Sequence, residues 1–320
     1  MNRTALYLLT TALLPGALLA ACSRTEPADT TAQTPAEPVA ATPAAATTPA
    51  ESDVFRFRIG TLDAIALKDG TIDVANDGKT IALGQPTEQV AALLTANGQP
   101  TDTLHLSMQP LLVRAGTRVL LFDTGAGDAS FARGGHLFDA LRAGDVEPAQ
   151  VTDIFLSHSH PDHVGGLLAA DGTPAFANAT VRLSAPEWDA MKANPNAAKT
   201  VAAITPKVAT FAPGAELVPG VVTAVAVDGH TPGHSAYDIV SGNEHLLYIG
   251  DTAHHYIVSV QRPEWTIQYD MDAPTAQASR RALLQRAADG NLRLYAVHFP
   301  FPGLGHVKAQ DGNFAWVPEN

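Results

Sequence analysis

Ser157-His158-Ser159-His160-Pro161-Asp162-His163-Val164-Gly165-Gly166 places three histidines and an aspartate within six residues. Imidazole and carboxylate are ordinary ligands of zinc and related divalent ions. In an extended chain, side chains two residues apart share a face, so His158 and His160 can point together. Pro161 and Val164-Gly165-Gly166 are poor strand material, so the chain must turn there. That turn can aim Asp162 and His163 at a second position beside the first. Four such residues ask for further ligands elsewhere in the chain.

Short β-branched runs separated by Gly and Asp turns begin at Val54. Phe55 to Ile59, Asp63 to Leu67, Leu104 to Val113, Val119 to Phe122 and Asp153 to Leu156 read as strands. So do Thr180 to Leu183, Val221 to Val227, Tyr237 to Val240, Leu246 to Ile249 and Leu292 to Val297. Thr87 to Ala96 reads as a helix with Thr87 as its cap, and Pro274 to Ala288 as a second with Gly290 beyond its end. The alternation suggests an α/β (α+β) domain of packed sheets with outer helices. Asp123, His230, Asp251 and His298 each follow one of these strands, on what would be one rim where loops carry sites. An aspartate before Thr or Gly is commonly a turn residue, so each alone says little. Together with 158–163 they supply enough ligands for two metals.

The chain has 320 residues, 20 basic and 32 acidic, a net charge of -12. Residues 1–52 hold only Arg3 and Arg24 against Glu26, Asp29, Glu37 and Glu51, so the remainder, with 18 basic and 28 acidic residues, is acidic in its own right. That argues against a nucleic-acid partner, which wants a basic surface. Residues 1–21 have the form of a secretion signal: Arg3, an apolar run from Ala5 to Ala20, then Cys22. Leu19-Ala20-Ala21-Cys22 resembles the bacterial lipobox, whose cysteine is lipidated. Residues 22–53, rich in Ala, Thr and Pro, read as an extended tether, and 54–320 as the folded domain. These features predict export to a bacterial cell envelope with a lipid anchor at Cys22, on the periplasmic side or at the outer membrane. Cys22 is the sole cysteine, so a metal site in the body must use histidine and carboxylate.

H-x-H-x-D-H at 158–163, Gly229-His230-Thr231-Pro232-Gly233-His234, Gly250-Asp251-Thr252 and a late histidine after a strand resemble the metallo-β-lactamase superfamily. With His298-Phe299-Pro300-Phe301-Pro302-Gly303-Leu304-Gly305-His306, the pattern looks like its methyl parathion hydrolase-like branch, from about Val54 to the C-terminus. The resemblance implies an αββα sandwich with the metals at one edge of the two sheets. It implies that His158, His160 and His230 hold one ion, that Asp162, His163 and His298 hold the other, and that Asp251 bridges both. Zinc is the first expectation, and a nitrogen and oxygen ligand set also accepts manganese, iron or cobalt. Liganding histidines need a partner on their other ring nitrogen, and Asp123, His234 and His306 are candidates for that duty. His254 and His255 are read either as lining the pocket mouth or as solvated loop.

The chemistry so implied is hydrolysis by a hydroxide shared between two cations, with Asp162 and Asp251 as the catalytic carboxylates. The expected substrate is a small-molecule ester, lactone or phosphotriester. Phe131, Trp188 and Trp265 are candidates for an apolar pocket wall. The branch carries more aromatics between the 158–163 cluster and the 229–234 block, whereas Met191 to Pro206 here is rich in Ala, Asn and Thr, implying a different or roomier pocket. Rival readings are a β-lactamase-like hydrolase and a non-catalytic, metal-binding envelope lipoprotein. Region 55–110 reads as a lid or as an inter-subunit arm, for which a homodimer is the candidate assembly.

Overall fold

Several strands here are apolar on both faces, and such strands need a covering layer on each side. In Arg118–Phe122 the side chains of Leu120 and Phe122 enter one core while Val119 and Leu121 enter another, the alternation that a pleated strand imposes. A computed structural model describes residues 53–319. The segments read as signal and tether, with Cys22, lie outside the described residues apart from Asp53.

Two seven-stranded sheets stack face to face. The first runs Val54–Ile59, Leu62–Leu67, Leu111–Ala115, Arg118–Phe122, Asp153–Phe155, Thr180–Ser184, Val208–Phe211. The second runs Glu216–Val218, Val222–Ala226, Ser235–Ser241, Glu244–Tyr248, Leu294–Tyr295, Leu304–Gln310, Asn313–Pro318. Between them lies a core of Leu111, Val113, Phe122, Phe155, Tyr237, Ile239 and Tyr248. Phe122 stacks on Phe155 at 5.0 Å and meets Tyr237 at 5.5 Å. Helices Leu137–Ala143, Ala185–Ala193 and Ala198–Ile204 cover the outside of the first sheet through Leu141, Met191 and Ile204. Helix Ala273–Asp289 covers the second through Leu283, Leu284 and Ala287. The result is the αββα sandwich.

Strand direction decides where the site falls. Arg118–Phe122 pairs in parallel with Asp153–Phe155, and Glu244–Tyr248 with Leu294–Tyr295. Their C-terminal ends therefore emerge together, and Asp123, Ser157, Asp251 and His298 follow just beyond them. A smaller layer, made from Gly70–Ala75 paired with Thr103–Met108, Ile81–Leu83 and helix Thr87–Ala96, packs its own core against Ile257 and Val258. Region 55–110 thus divides between edge strands of the first sheet and this layer. Among the described residues no helix is long and apolar enough to cross a membrane.

Some sequence expectations need correction. Leu104 to Val113 is not one strand: it breaks at Gln109-Pro110, and its halves belong to different sheets. Buried Gln109 donates from Nε2 to the carbonyls of Ala296 (2.9 Å) and Phe299 (2.8 Å). Those bonds turn the chain and brace the loop that carries His298. The last run shrinks to Leu294–Tyr295, because Ala296 donates back to the Gly303 carbonyl. Thr87 does not cap its helix; Pro86 occupies the cap position without a side-chain bond. Two further strands follow residue 297 beyond those the pattern predicts, Leu304–Gln310 and Asn313–Pro318, a hairpin that turns at Asp311-Gly312, both at positive φ. Asp-Gly is the sequence signal for such a turn.

Candidate metal centre

Asp123 organises the first loop. It sits at φ +58, a left-handed backbone that Asp tolerates better than most residues. Its buried carboxylate accepts from Ser157 N (2.7 Å), Ser157 Oγ (2.7 Å), His163 Nδ1 (2.7 Å) and Tyr248 Oη (2.7 Å). Strand Asp153–Phe155 stops short of the histidines, so alternation alone does not align them. His160 instead occupies the cap position of the short helix Pro161–Val164, with no side-chain capping bond. His158 Nε2 and His160 Nδ1 still end 2.9 Å apart, and the helical turn carries Asp162 and His163 to the neighbouring position.

Gly229 enters the second loop at φ +111, where an added Cβ would stand 2.2 Å from the Ala276 amide; this close approach seats His230 against the start of helix Ala273–Asp289. His230 Nε2 lies 3.3 Å from His158 Nε2 and 3.1 Å from His160 Nδ1. Gly250, at φ +49, lets Asp251 turn inward beside Ser157 and His234. One oxygen of Asp251 faces His163 Nε2 (3.1 Å) and His298 Nε2 (3.0 Å); the other faces His158 Nε2 (3.6 Å) and His230 Nε2 (3.4 Å). Asp162 lies 3.7 Å from His163 Nε2 and 3.4 Å from His298 Nε2. Two donor clusters result, His158/His160/His230/Asp251 and Asp162/His163/His298, each with its donor atoms within 4.8 Å of one another.

These groups fit divalent cations. His163, His230 and His298 donate from Nδ1 to Asp123, to Asp270 (2.9 Å) and to the Ser107 carbonyl (2.8 Å), which leaves each Nε2 as an inward lone pair. His163 Nε2 and Asp251 Oδ1 are buried without a hydrogen-bond partner, so with the ring neutral an acceptor faces an acceptor and the gap calls for a proton or a metal ion. Tetrahedral nitrogen ligands at 2.0–2.1 Å from zinc stand about 3.3 Å from each other, close to the spacing of His158, His160 and His230. The field points the same way. Burial opposes charge on His163, yet Asp251, Asp123 and Asp162 raise its pKa well above the usual range. Burial would raise the Asp251 carboxyl too, but His163, His298 and His254 hold it well below the ordinary carboxylate value. Such a pocket favours added positive charge.

His234 is pushed down to about 3, chiefly by burial and then by His230. It is neutral, donating from Nδ1 to the Val227 carbonyl (3.3 Å) and accepting the Asp251 amide at Nε2 (2.9 Å). His306 lies elsewhere: its partner is Glu319 at 3.4 Å on the outer hairpin, so it does not serve the cluster. Trp188 is not a pocket wall. It packs into the helix-side core of the first sheet, because its helix presents that face inward. Trp265 packs against the small accessory core, and Phe131 is 51% exposed in a loop.

His254 and His255, read from the sequence as pocket mouth or solvated loop, are both buried, and Asp270, Arg280 and Tyr269, which the sequence did not single out, join them around the centre. His254 stands inside it, Nε2 3.1 Å from Asp251. His255 accepts the amides of Ile257 and Val258, an element-capping duty. Asp270 links His230 to Arg280 (2.8 Å), whose guanidinium also donates to the carbonyls of Thr252, Pro263 and Trp265. Tyr269, half exposed, meets the His160 ring at 6.3 Å. His160 and Asp162 are the members of the two clusters that reach solvent.

Fold and site together define a metal-dependent hydrolase of the two-sheet type. The profile of the metallo-beta-lactamase superfamily matches residues 110–298, and the chain belongs to that superfamily. Two solved structures share 30% identity with it, each match covering 84% of this chain and 98% of the other. One is AidC, a dizinc quorum-quenching lactonase in complex with its product N-hexanoyl-L-homoserine, at a TM-score of 0.78. The other is the hydrolase AbOPH of the beta lactamase superfamily, at 0.75. A probable metal-dependent hydrolase from Staphylococcus aureus, 20% identical over 82% of this chain and 99% of its own, shares the fold at 0.68. No curated protein matches the chain in sequence.

Proposed function

We propose that the chain opens lactones at a two-metal centre, with His158, His160 and His230 on one ion, Asp162, His163 and His298 on the other, and Asp251 shared. The observation that carries this is Asp251, which turns one oxygen to each histidine set. The 30% identity to a dizinc lactonase over nearly its whole length supports the lactone as substrate. Aryl esters and phosphotriesters carry the same kind of electrophile, but the placement of Trp188 in the core takes away one aromatic that a phosphotriester pocket would use.

Two bound divalent ions, zinc foremost, would supply a nucleophile at neutral pH and polarise the ester carbonyl. The protein sets the stage for that chemistry. Burial around the clusters excludes bulk water and strengthens every charge interaction. Substrate enters at the His160–Asp162 edge. Tyr269 stands there with its phenol raised above the ordinary range by partial burial and by Asp162, so it keeps its proton as a hydrogen-bond donor. Asp162, 13% exposed, is placed to take the proton given up by the attacking water and return it to the alkoxide oxygen that leaves as the ring C–O bond breaks.

The test is kcat/KM of zinc-loaded protein on acyl-homoserine lactones, simple lactones, aryl esters, methyl paraoxon and nitrocefin. Lactones should lead the panel. Nitrocefin in front would move the assignment to β-lactam hydrolysis, and no turnover of any would favour a metal-binding role. Export and the Cys22 anchor belong to the same proposal, supported by Leu19-Ala20-Ala21-Cys22. Full-length protein made in a bacterial host that takes up no labelled palmitate would remove the anchor.

A further inference from the structure

Glu187 lies in the first turn of helix Ala185–Ala193 and is 1% exposed. Its carboxylate binds neither donor cluster. Oε1 accepts from Ser159 N (2.8 Å) and Ser159 Oγ (2.6 Å), while Oε2 accepts from Thr231 Oγ1 (2.6 Å) and Gly233 N (3.0 Å). Ser159 separates His158 from His160, and Thr231 follows His230. One carboxylate therefore spans the two loops that carry all three histidines of one cluster. Asp162, His163 and His298 receive nothing from it; Asp123 holds His163 and the Ser107 carbonyl holds His298.

The contact is closely fitted. Ser184 Oγ donates to the Gly233 carbonyl (2.7 Å) and accepts the Glu187 amide (3.3 Å). A Cβ on Gly233 would stand 2.1 Å from Ser184 Oγ and 2.4 Å from the Glu187 amide. Loop 229–234 thus lies flat on the start of the helix, and only glycine permits it. Four donors on two oxygens satisfy a buried carboxylate, and bonds to an ionised acceptor are the strong ones.

We infer that Glu187 is a positioning residue that holds loops 157–160 and 229–234 at a fixed separation and so sets the affinity of the ion held by His158, His160 and His230, leaving the other ion untouched. This rests on the two-metal reading. The neighbouring cluster serves as its internal control, because a general loss of stability would weaken both ions alike.

The experiment places Glu187→Ala in two backgrounds. His298→Ala keeps the 158/160/230 cluster, and His160→Ala keeps the 162/163/298 cluster. Zinc dissociation constants are measured by competition with a chromophoric chelator, and folding by circular dichroism. Removing a supporting group of this kind costs about 10–100-fold in metal affinity; that loss is expected in the His298→Ala background, with a change of under about twofold in the His160→Ala background. Equal losses in both, or none in either, would overturn the inference. If Glu187→Ala does not fold, Thr231→Val removes one of the four donors and should repeat the asymmetry at about tenfold or less; a symmetric loss there overturns it too. Wild-type protein holding fewer than two zinc ions would instead sink the two-metal reading and the inference with it, whereas two ions in wild type without the asymmetry would sink the inference alone.

Discussion

Asp270→Asn isolates the charge behind His230. Asp270 and Arg280 form an ion pair of 2.8 Å with side chains 0% and 1% exposed. Asparagine keeps an oxygen for His230 Nδ1, so the ring retains its partner. Arg280 keeps its three carbonyl acceptors and loses its counter-charge. Breaking a buried pair from one side costs about 3–5 kcal/mol, which for a domain of this size corresponds to about 6–20 °C in Tm. The assay is thermal unfolding of metal-free protein, so that ion binding does not mask the change. In Asp270→Asn/Arg280→Met no lone charge stays buried, but the carbonyls of Thr252, Pro263 and Trp265 lose their donor, so only part of the loss should return. Burial works to raise the Asp270 carboxyl, but the His230 bond and Arg280 hold it below the ordinary value. The native state therefore binds that proton less readily than the unfolded chain. The pair contributes fully above about pH 4, near the unfolded carboxylate pKa, and its contribution fades as pH falls through the lower folded value. The gap between wild type and Asp270→Asn should narrow in acid. A Tm within about 2 °C of wild type at neutral pH, or a gap that widens on acidification, would refute the reasoning.

Asp251→Asn should abolish turnover, lower the bound metal below two ions per chain, and leave the far-ultraviolet circular dichroism unchanged; wild-type rates would remove Asp251 as the shared ligand. Chelation should abolish turnover and lower Tm, and added zinc should restore both, because an ion present at 100 times its dissociation constant stabilises the fold by about 2.7 kcal/mol. Phe122→Ala, at the centre of the inter-sheet aromatic cluster, should cost about 3–5 kcal/mol in urea unfolding. Trp188→Phe should lower stability while leaving KM for every substrate within about twofold, since a core residue does not contact substrate.

The architecture was readable because burial on two faces leaves runs such as Val119 to Phe122 and Leu246 to Ile249 with no polar side to hide it. What failed to read was where pairing ends. A strand stops when its partner stops, and nothing within Leu104 to Val113 except Gln109-Pro110 marks the change of sheet. Helices Leu137–Ala143 and Ala198–Ile204 are seven residues each, too short for periodicity to separate from loop.

The centre divides along a physical line. Residues able to hold a metal must be particular types at particular spacings, so His158, His160, Asp162, His163, His230, Asp251 and His298 stand out in the sequence, and they converge in space. Supporting groups need only present one acceptor at one point, and many positions on a packed surface can do that. Glu187 reads as an ordinary acidic residue in a helix's first turn, a place where acids are common for the helix dipole alone. Asp270 lies 40 residues from the histidine it orients. His306 shows the converse error: a histidine beside a motif is near the site in sequence, but strand Leu304–Gln310 carries it out to Glu319. Proximity along the chain identifies support only where the backbone turns back on itself, as at Asp251, whose amide His234 receives. Elsewhere the fold selects the support, and Glu187 is where that selection spans two ligand loops with one carboxylate.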